Sequence, residues 1–388
     1  MIIGTIILFI LVLGILIFVH EMGHFITAKR NGVGAYEFGF GFPPRAIGIV
    51  KDDKTRKWRI VIGSKEHYTG KNTLYSLNWI PLGGFVRIKG EEGGHENEKD
   101  SFSAQSAWVR VKILAAGVVM NFVLAWVLIS IVMFVGAPQP VDPGTMDKDD
   151  VHVQVQAMTP DAPGATMGLK VGDEIVKGCA EKKCQKISNV EDLQNFVAKN
   201  KGDEISLTIT RGSIEETLTT TPRVYYPSDQ GPLGVSLVEV SFISYPWYEA
   251  IARGAGAVIN ITLTILGALG ALIASLFTKA SVSADLAGPV GIAVLTRQVA
   301  DLGFVYLMQF TAILSINLGI INILPIPALD GGRILFVLIE KIKGSPVSKK
   351  MEQRMHAAGF MLLIGLMLFV TVWDFLRFNI VEKIGNLF

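Results

Sequence analysis

Three uncharged apolar runs, Ile2–Val19, Ile113–Val135 and Phe304–Leu329, punctuate the chain. Each is long enough as a helix to cross ~30 Å of hydrocarbon. A shorter run, Ala357–Val372, reaches that length with Trp373 and its flanks, and a fifth, Ala255–Phe277, qualifies by length alone. Between the first two runs, Trp58–Gly63 and Leu74–Lys89 read as strands of a hairpin. Its apolar Trp79, Ile80, Leu82, Phe85 and Val86 favour a dip toward a bilayer. After the second run a Pro/Gly linker, Gly136 to Gly144, leads into a segment with a different rhythm. Val151–Ala157 alternates as a strand, and Ala162–Ile175 reads as a short helix and tight turn into another. Ser188 caps a helix through about Lys199 with Val190, Leu193, Phe196 and Val197 on its apolar face. Glu204–Thr210 and Glu215–Thr221 form a hairpin about Arg211-Gly212-Ser213.

Composition places these runs in a polytopic α-helical membrane protein: half of the 388 residues are apolar and the mean hydropathy is +0.43. The net charge of +2 gives no case for a nucleic-acid partner. Its distribution is more informative. Lys29, Arg30 and Arg45 follow the first run, Arg110 and Lys112 precede the second, and Lys341, Lys343, Lys349, Lys350 and Arg354 lie between the third and the shorter one. By the positive-inside rule those loops are cytoplasmic and the N-terminus is outside. Ala137–Gly254, with 17 acidic against 11 basic residues, then belongs outside as well. The first run lacks a basic n-region and a small-residue cleavage site, so it reads as a retained span rather than a signal peptide. Cys179 and Cys184 share a short polar loop on the oxidising side, as a local disulfide or as free thiols.

The candidate chemistry sits where the first run ends, at His20-Glu21-Met22-Gly23-His24. Ionisable groups at the edge of a bilayer helix are expensive, which makes them functional candidates. On a helix the i, i+4 spacing brings the two imidazoles to one face, suited to a single Zn²⁺, with Glu21 beside an open coordination position. A third ligand is needed, and Asp330, ending the apolar run in Asn322-Ile323-Leu324-Pro325-Ile326-Pro327-Ala328-Leu329-Asp330-Gly331, is the best candidate. The first span runs from outside to inside, so 304–330 must do the same for Asp330 to meet the histidines. Residues 255–277 then cannot cross an odd number of times. They are expected on the outer surface or as a re-entrant hairpin, which leaves four transmembrane helices.

With HExxH on the first span and NxxPxPxLDG on a later one, the chain resembles the site-2 protease family of intramembrane zinc metalloproteases, in particular its bacterial regulator of sigma-E protease branch. The likeness extends over Gly39-Phe40-Gly41-Phe42-Pro43, Pro81 to Val86, Ala287-Gly288-Pro289-Val290 and Asn317 to Asn322. It implies Zn²⁺ held by His20, His24 and Asp330, Glu21 as the catalytic proton carrier, and substrate contacts from Asn317 and Asn322, whose alternative role is hydrogen bonding between helices. Pro325 and Pro327 should break the helix beside the substrate. The outer segment resembles a circularly permuted PDZ domain with Leu233, Gly234 and Val235 as its ligand loop, and it has room for one such module where sigma-E-linked members carry two. In Gly117-Val118-Val119-Met120-Asn121, Val118 stands where the family has proline.

The expected order along the bacterial inner membrane is therefore a first span at 1–28 and a cytoplasmic membrane-associated β region at 29–112 that holds an unwound substrate. A second span at 113–136, a periplasmic PDZ-like α+β domain at 150–240 and a surface or re-entrant segment at 246–300 follow. A third span at 304–330, a cytoplasmic loop at 331–355 and a fourth span at 356–376 complete it. The implied partners are the lipid bilayer, single-span membrane proteins such as an anti-sigma factor, signal-peptide remnants, and an upstream site-1 protease. A metal transporter would need a continuous polar path or internal repeats, and a PDZ receptor or scaffold would not need Glu21. His67, His95, His152 and His356 are expected to be solvated or structural.

Overall fold

The computed structural model describes residues 2–377 other than 54, 65–67, 92, 94, 141–150, 182, 213, 228–229, 279–286 and 346. The distal part of the Pro/Gly linker, His67 and Ser213 lie outside the described residues. The chain forms two compact units. One comprises Met1–Ile129, Gly254–Arg297 and Thr311–Phe388, the other Ser130–Arg253 and Gln298–Phe310.

The first unit is built on α1 (Ile2–Arg30) and α2 (Ala107–Val135), which enters the second unit at its last turns. Glycine sets their closest approach: a Cβ on Gly23 would lie 2.3 Å from the Ala116 carbonyl oxygen. Small residues let helix backbones meet in this way without a hydrophobic driving force. The contacts of residue 24 with 113 and of residue 20 with 121 make the pair antiparallel.

Between them the chain forms β1 (Ala35–Lys51), β2 (Trp58–Ile62) and β3 (Leu74–Ile88) in the order β2-β1-β3. The expected hairpin of the second and third strands is thus corrected to a three-stranded antiparallel sheet. Its central strand is the stretch around Gly39-Phe40-Gly41-Phe42-Pro43, which reads as a loop by composition. β1 pairs β3 from Ala35 opposite Ile88 to Ile49 opposite Tyr75, and one of its register shifts falls between Phe42 and Arg45, where Pro43 and Pro44 have no N–H to give the ladder. Arg45 closes a buried bidentate pair on Glu37 at 2.8 and 2.9 Å. One side of the sheet is apolar and bare. Ile47 and Ile49 pair with Ile62 and Ile60, all four exposed, alongside exposed Trp58, Leu77 and Trp79.

The second unit carries β4 (Ala137–Pro140), β5 (His152–Met158), the short α3 (Pro163–Thr166), β6 (Glu174–Ala180), β7 (Lys183–Lys186), α4 (Val190–Lys199), β8 (Ile205–Arg211), β9 (Ile214–Thr220) and β10 (Val235–Ile243). The strands form one sheet ordered β4-β10-β5-β6-β8-β9, with β7 on β6. Leu193, Phe196 and Val197 bury the apolar face of α4 against Ile175, Ile205 and Leu207. Its cap is Asn189, whose side chain accepts from the Asp192 N–H at 2.7 Å, one residue later than the expected Ser188. β8 and β9 pair as far as Arg211 opposite Ile214, one residue further than expected on each strand, with Gly212 at φ +64°. Cys179 and Cys184, opposite each other in the β6–β7 pair, are joined as a disulfide.

After β10 the chain runs into α5 (Trp247–Thr278), then α6 (Pro289–Leu302), α7 (Phe304–Ile323), α8 (Asp330–Lys343) and α9 (Lys349–Arg377). α5 is one unbroken helix, so the re-entrant hairpin expected as one form of 255–277 is not present. The fully buried Asp374 of α9 accepts the Gly288 and Gly291 N–H groups at 3.2 and 2.7 Å and so caps α6. Among the described residues, five helices, α1, α2, α5, α7 and α9, are long and apolar enough to cross a membrane.

In the second unit Arg211 grips the fully buried Asp173 at 2.6 and 2.7 Å, which raises the guanidinium above the ordinary arginine range. Removing one partner of such a pair strands the other charge. Arg211→Met is expected to destabilise this unit by about 3–5 kcal/mol, measured as lost hydrogen-exchange protection in β6 and β8 of the full chain.

Candidate active site

The last three turns of α1 place His20 and His24 on the side of the helix facing α2 and Glu21 toward β3, and both imidazoles are buried. A buried imidazole must have both nitrogens accounted for. His24 Nδ1 lies 2.8 Å from the Ile113 carbonyl oxygen. A carbonyl only accepts, so Nδ1 carries the hydrogen and Nε2 keeps a bare lone pair. His20 Nδ1 lies 3.1 Å from the side-chain amide of the fully buried Asn121, whose Oδ1 has no hydrogen-bond partner among the described residues. The amide's two ends are exchanged by a half-turn. With Oδ1 toward His20, the orphaned oxygen accepts Nδ1–H and the second imidazole also presents a bare Nε2.

The two Nε2 atoms are 3.1 Å apart, and Asp330 Oδ2 lies 2.9 Å from that of His20 and 3.4 Å from that of His24. Donors bound to zinc at ~2.0–2.1 Å in a tetrahedral arrangement lie about 3.3 Å apart. Two neutral imidazoles and a carboxylate at these separations fit Zn²⁺. Glu21 also lies within 4.8 Å of both imidazoles, but its Oε2 accepts the Val86 N–H of β3 at 3.1 Å. That bond turns the carboxylate to the side of the triangle, where a proton carrier is needed. Gly117 leaves the room: a Cβ there would lie 2.4 Å from His24 Nε2.

A cavity of about 210 Å³ opens on this cluster, lined by Ile17, His20, Glu21, Leu318, Asn322, Ala328, Leu329 and Asp330. It is large enough for water and a peptide group and is walled by apolar helices.

Residues 8–64 and 63–366 match the sequence profile of peptidase family M50. The chain belongs to this family, the site-2 proteases. It is 29% identical to the regulator of sigma-W protease RasP of Bacillus subtilis, with 97% of this chain and 99% of that protein aligned. The zinc metalloprotease RasP of Bacillus licheniformis is 30% identical over 96% of this chain and 99% of its own length. That of Geobacillus kaustophilus is 29% identical over 96% and 98%. The protein is accordingly a multi-pass membrane zinc metalloprotease, which sets aside the transporter and scaffold readings.

Within this M50 site the structure gathers His20, Glu21, Asp330 and Asn322 around one cavity, with His24 behind them against His20 and Asp330. Asn317 is not among them, and its amide donates to the Ile313 carbonyl one turn back, at 3.1 Å. Pro325 and Pro327 shape the turn before Asp330, while the cavity wall itself comes from Ala328 and Leu329. Leu233, Gly234 and Val235 belong to the other unit, where Gly234 has φ +66° and its N–H is taken by the Gly231 carbonyl. Gly117 and Asn121 fall in the stretch that resembles the family's second-span pattern and Val86 in another matched stretch, but the sequence alone assigns none of them a role at the histidines. Only their partners in space reveal it.

Gly117→Ala drives a methyl group into the space of both ligating imidazoles. Zinc content, measured by atomic absorption on purified protein, is expected to fall well below one ion per chain together with peptidase activity, while far-ultraviolet circular dichroism stays unchanged.

Proposed function

We propose that this metalloprotease cuts transmembrane segments of single-span membrane proteins within the bilayer, after another protease has removed most of their outer domain. The observation that carries this reading is the position of the ligand triangle: His20 and His24 on an apolar helix of span length, and Asp330 seven residues beyond the end of another, around a cavity lined in part by Ile17 and Leu318. A soluble peptide has no need of such a site. A lipid-embedded one does.

Bound by His20, His24 and Asp330, Zn²⁺ supplies Lewis acidity for peptide hydrolysis. Glu21 accepts the proton of the attacking water as the O–C bond forms, and returns it to the leaving nitrogen as the C–N bond breaks. Asn322 offers its amide to the scissile carbonyl from the cavity wall. A substrate helix encloses its own amides, so it must unwind before it is cut. β3 supplies a strand beside Glu21 along which the unwound segment pairs. The apolar groove of about 360 Å³ between α1 and the sheet, lined by Phe18, Phe38, Phe40, Ile47 and Tyr75 among others, suits a substrate side chain. Replacing Glu21 with Gln is expected to leave bound zinc intact and abolish cleavage of a single-span reporter in liposomes. A zinc chelator should do the same to the parent protein, and turnover by the Gln variant would remove the role of Glu21.

In this reading the chain has four spans in a bacterial inner membrane, with its N-terminus and a PDZ-like outer domain at 150–240 on the periplasmic side. Leu233, Gly234 and Val235 border the start of β10, whose pairing with β4 begins at Val240 among the described residues, and this loop is where a short C-terminal peptide is proposed to bind. The cut substrates are an anti-sigma factor, in keeping with the name of the Bacillus subtilis relative, or remnant signal peptides. Support for an α5 that does not cross comes from α9. That helix meets the Ala328 turn at His356 and Gly288 at Asp374, eighteen residues and about 27 Å further on. The chain following α5 is therefore back at the far end of α9. A single cysteine at Ala271 is expected to react with an impermeant maleimide added to the outer side, whereas reaction only from the cytoplasmic side would mean a fifth crossing.

A further inference from the structure

The turn that delivers Asp330 is short of internal support. Pro325 and Pro327 have no N–H, the Ile326 N–H reaches back to the Leu324 carbonyl at 2.7 Å, and that of Leu329 to Ile326 at 3.2 Å. Ala328 has φ +81°, in the left-handed region that a residue with a side chain rarely adopts. Something outside the turn must hold it there.

That support comes from α9. His356 Nδ1 accepts the Ala328 N–H at 2.8 Å. Three residues on, at Gly359, a Cβ would lie 2.2 Å from the Pro327 carbonyl oxygen. Positions i and i+3 share one helix face, so α9 holds both ends of a single peptide group: the oxygen of Pro327 against Gly359 and the N–H of Ala328 on His356. That peptide group lies two residues before the metal ligand and beside the cavity wall.

The acceptor role fixes the tautomer. Nδ1 is bare, so Nε2 carries the hydrogen, and Nε2 is buried without a hydrogen-bond partner among the described residues, the Glu352 carboxylate being 3.9 Å away. The Phe336 ring of α8, 5.4 Å off, packs on the imidazole. A leucine would fill this space without an orphaned N–H. An unsatisfied donor is costly to keep, and the hydrogen bond to Ala328 is the function that offsets it.

We infer that His356 is a positioning residue for the zinc site, which with Gly359 clamps the Pro327–Ala328 peptide so that Asp330 reaches His20 and His24. This rests on Asp330 being the third ligand. His356 itself lines no part of the cavity.

Two replacements separate the clamp from simple packing. In His356→Asn the side-chain oxygen takes the place of Nδ1 and keeps an acceptor, whereas His356→Leu keeps bulk and loses it. Zinc affinity of the purified full chain, by competition with a chromophoric chelator, is expected to fall about 10- to 100-fold for Leu and to stay near the parent value for Asn. On a reporter substrate kcat should follow zinc affinity while KM holds. Equal affinities for both variants, whether unchanged or equally reduced, would overturn the clamp. If the Leu variant does not fold, Gly359→Ala decides: a loss of zinc affinity upholds the clamp and the parent affinity refutes it. Asp330→Ala is the control for the underlying assignment, because zinc retained there refutes the ligand and not His356.

Discussion

Everything at this site follows from the cost of leaving a polar atom unpaired where water is scarce. Two histidines and two carboxylates cannot be taken into an apolar helix bundle unless each nitrogen and oxygen has a partner or a metal. The structure assigns them one by one. Ile113 takes the Nδ1 hydrogen of His24, Asn121 takes that of His20, and Val86 donates to Glu21. What remains is two imidazole lone pairs and a carboxylate oxygen facing one another at 2.9–3.4 Å, an arrangement of donors without hydrogens that calls for a cation.

α2 is the template for that arrangement although it supplies no ligand. Its contributions come from positions 113, 117 and 121: a carbonyl, a gap and an amide, spaced four residues apart along a single stripe. The stripe matches the i, i+4 spacing of His20 and His24 on α1, so the antiparallel crossing at Gly23 sets both rings at once. Ser315 of α7 then donates to the Asn121 carbonyl at 2.8 Å, which ties the helix leading to Asp330 to the same stripe. Position 118, where the family has proline, carries a buried valine in an unbroken helix. The stripe survives without the proline.

The parts of this design that are local in sequence could be read from it. HExxH announces itself by spacing, Asp330 by being a charge at the end of an apolar run, and the long helices by length. The parts that depend on a partner in space could not. Nothing around Asn121 distinguishes a residue that orients a histidine from one that joins two helices. Nothing around His356 distinguishes a boundary histidine from one that accepts the amide of Ala328. β1 was obscured for another reason: its glycines and prolines lower strand propensity, and pairing on both sides by β2 and β3 overrides that preference. α5 shows the converse, since its glycines at 254, 256, 267 and 270 permit bending, yet the helix runs through all four.

The prolines before Asp330 have a role beyond bending the chain. A helix that ends inside an apolar bundle strands backbone donors and acceptors that water cannot reach. Placing proline at 325 and 327 removes two N–H groups from the break altogether. Of the donors that remain, those of Ile326 and Leu329 are satisfied within the turn, and that of Ala328 is satisfied from α9. The alternation of proline with ordinary residues is thus a way of ending a membrane helix with every N–H from 324 to 329 accounted for. It leaves the turn narrow enough for α8 to begin at Asp330 itself, and the glycines that follow at 331 and 332 lie too close to the Ile323, Leu324 and Ile326 carbonyls to carry a side chain. The LDGG sequence therefore combines a ligand with the absence of obstruction, and the same close approach that excludes a Cβ holds the aspartate against the histidines of α1.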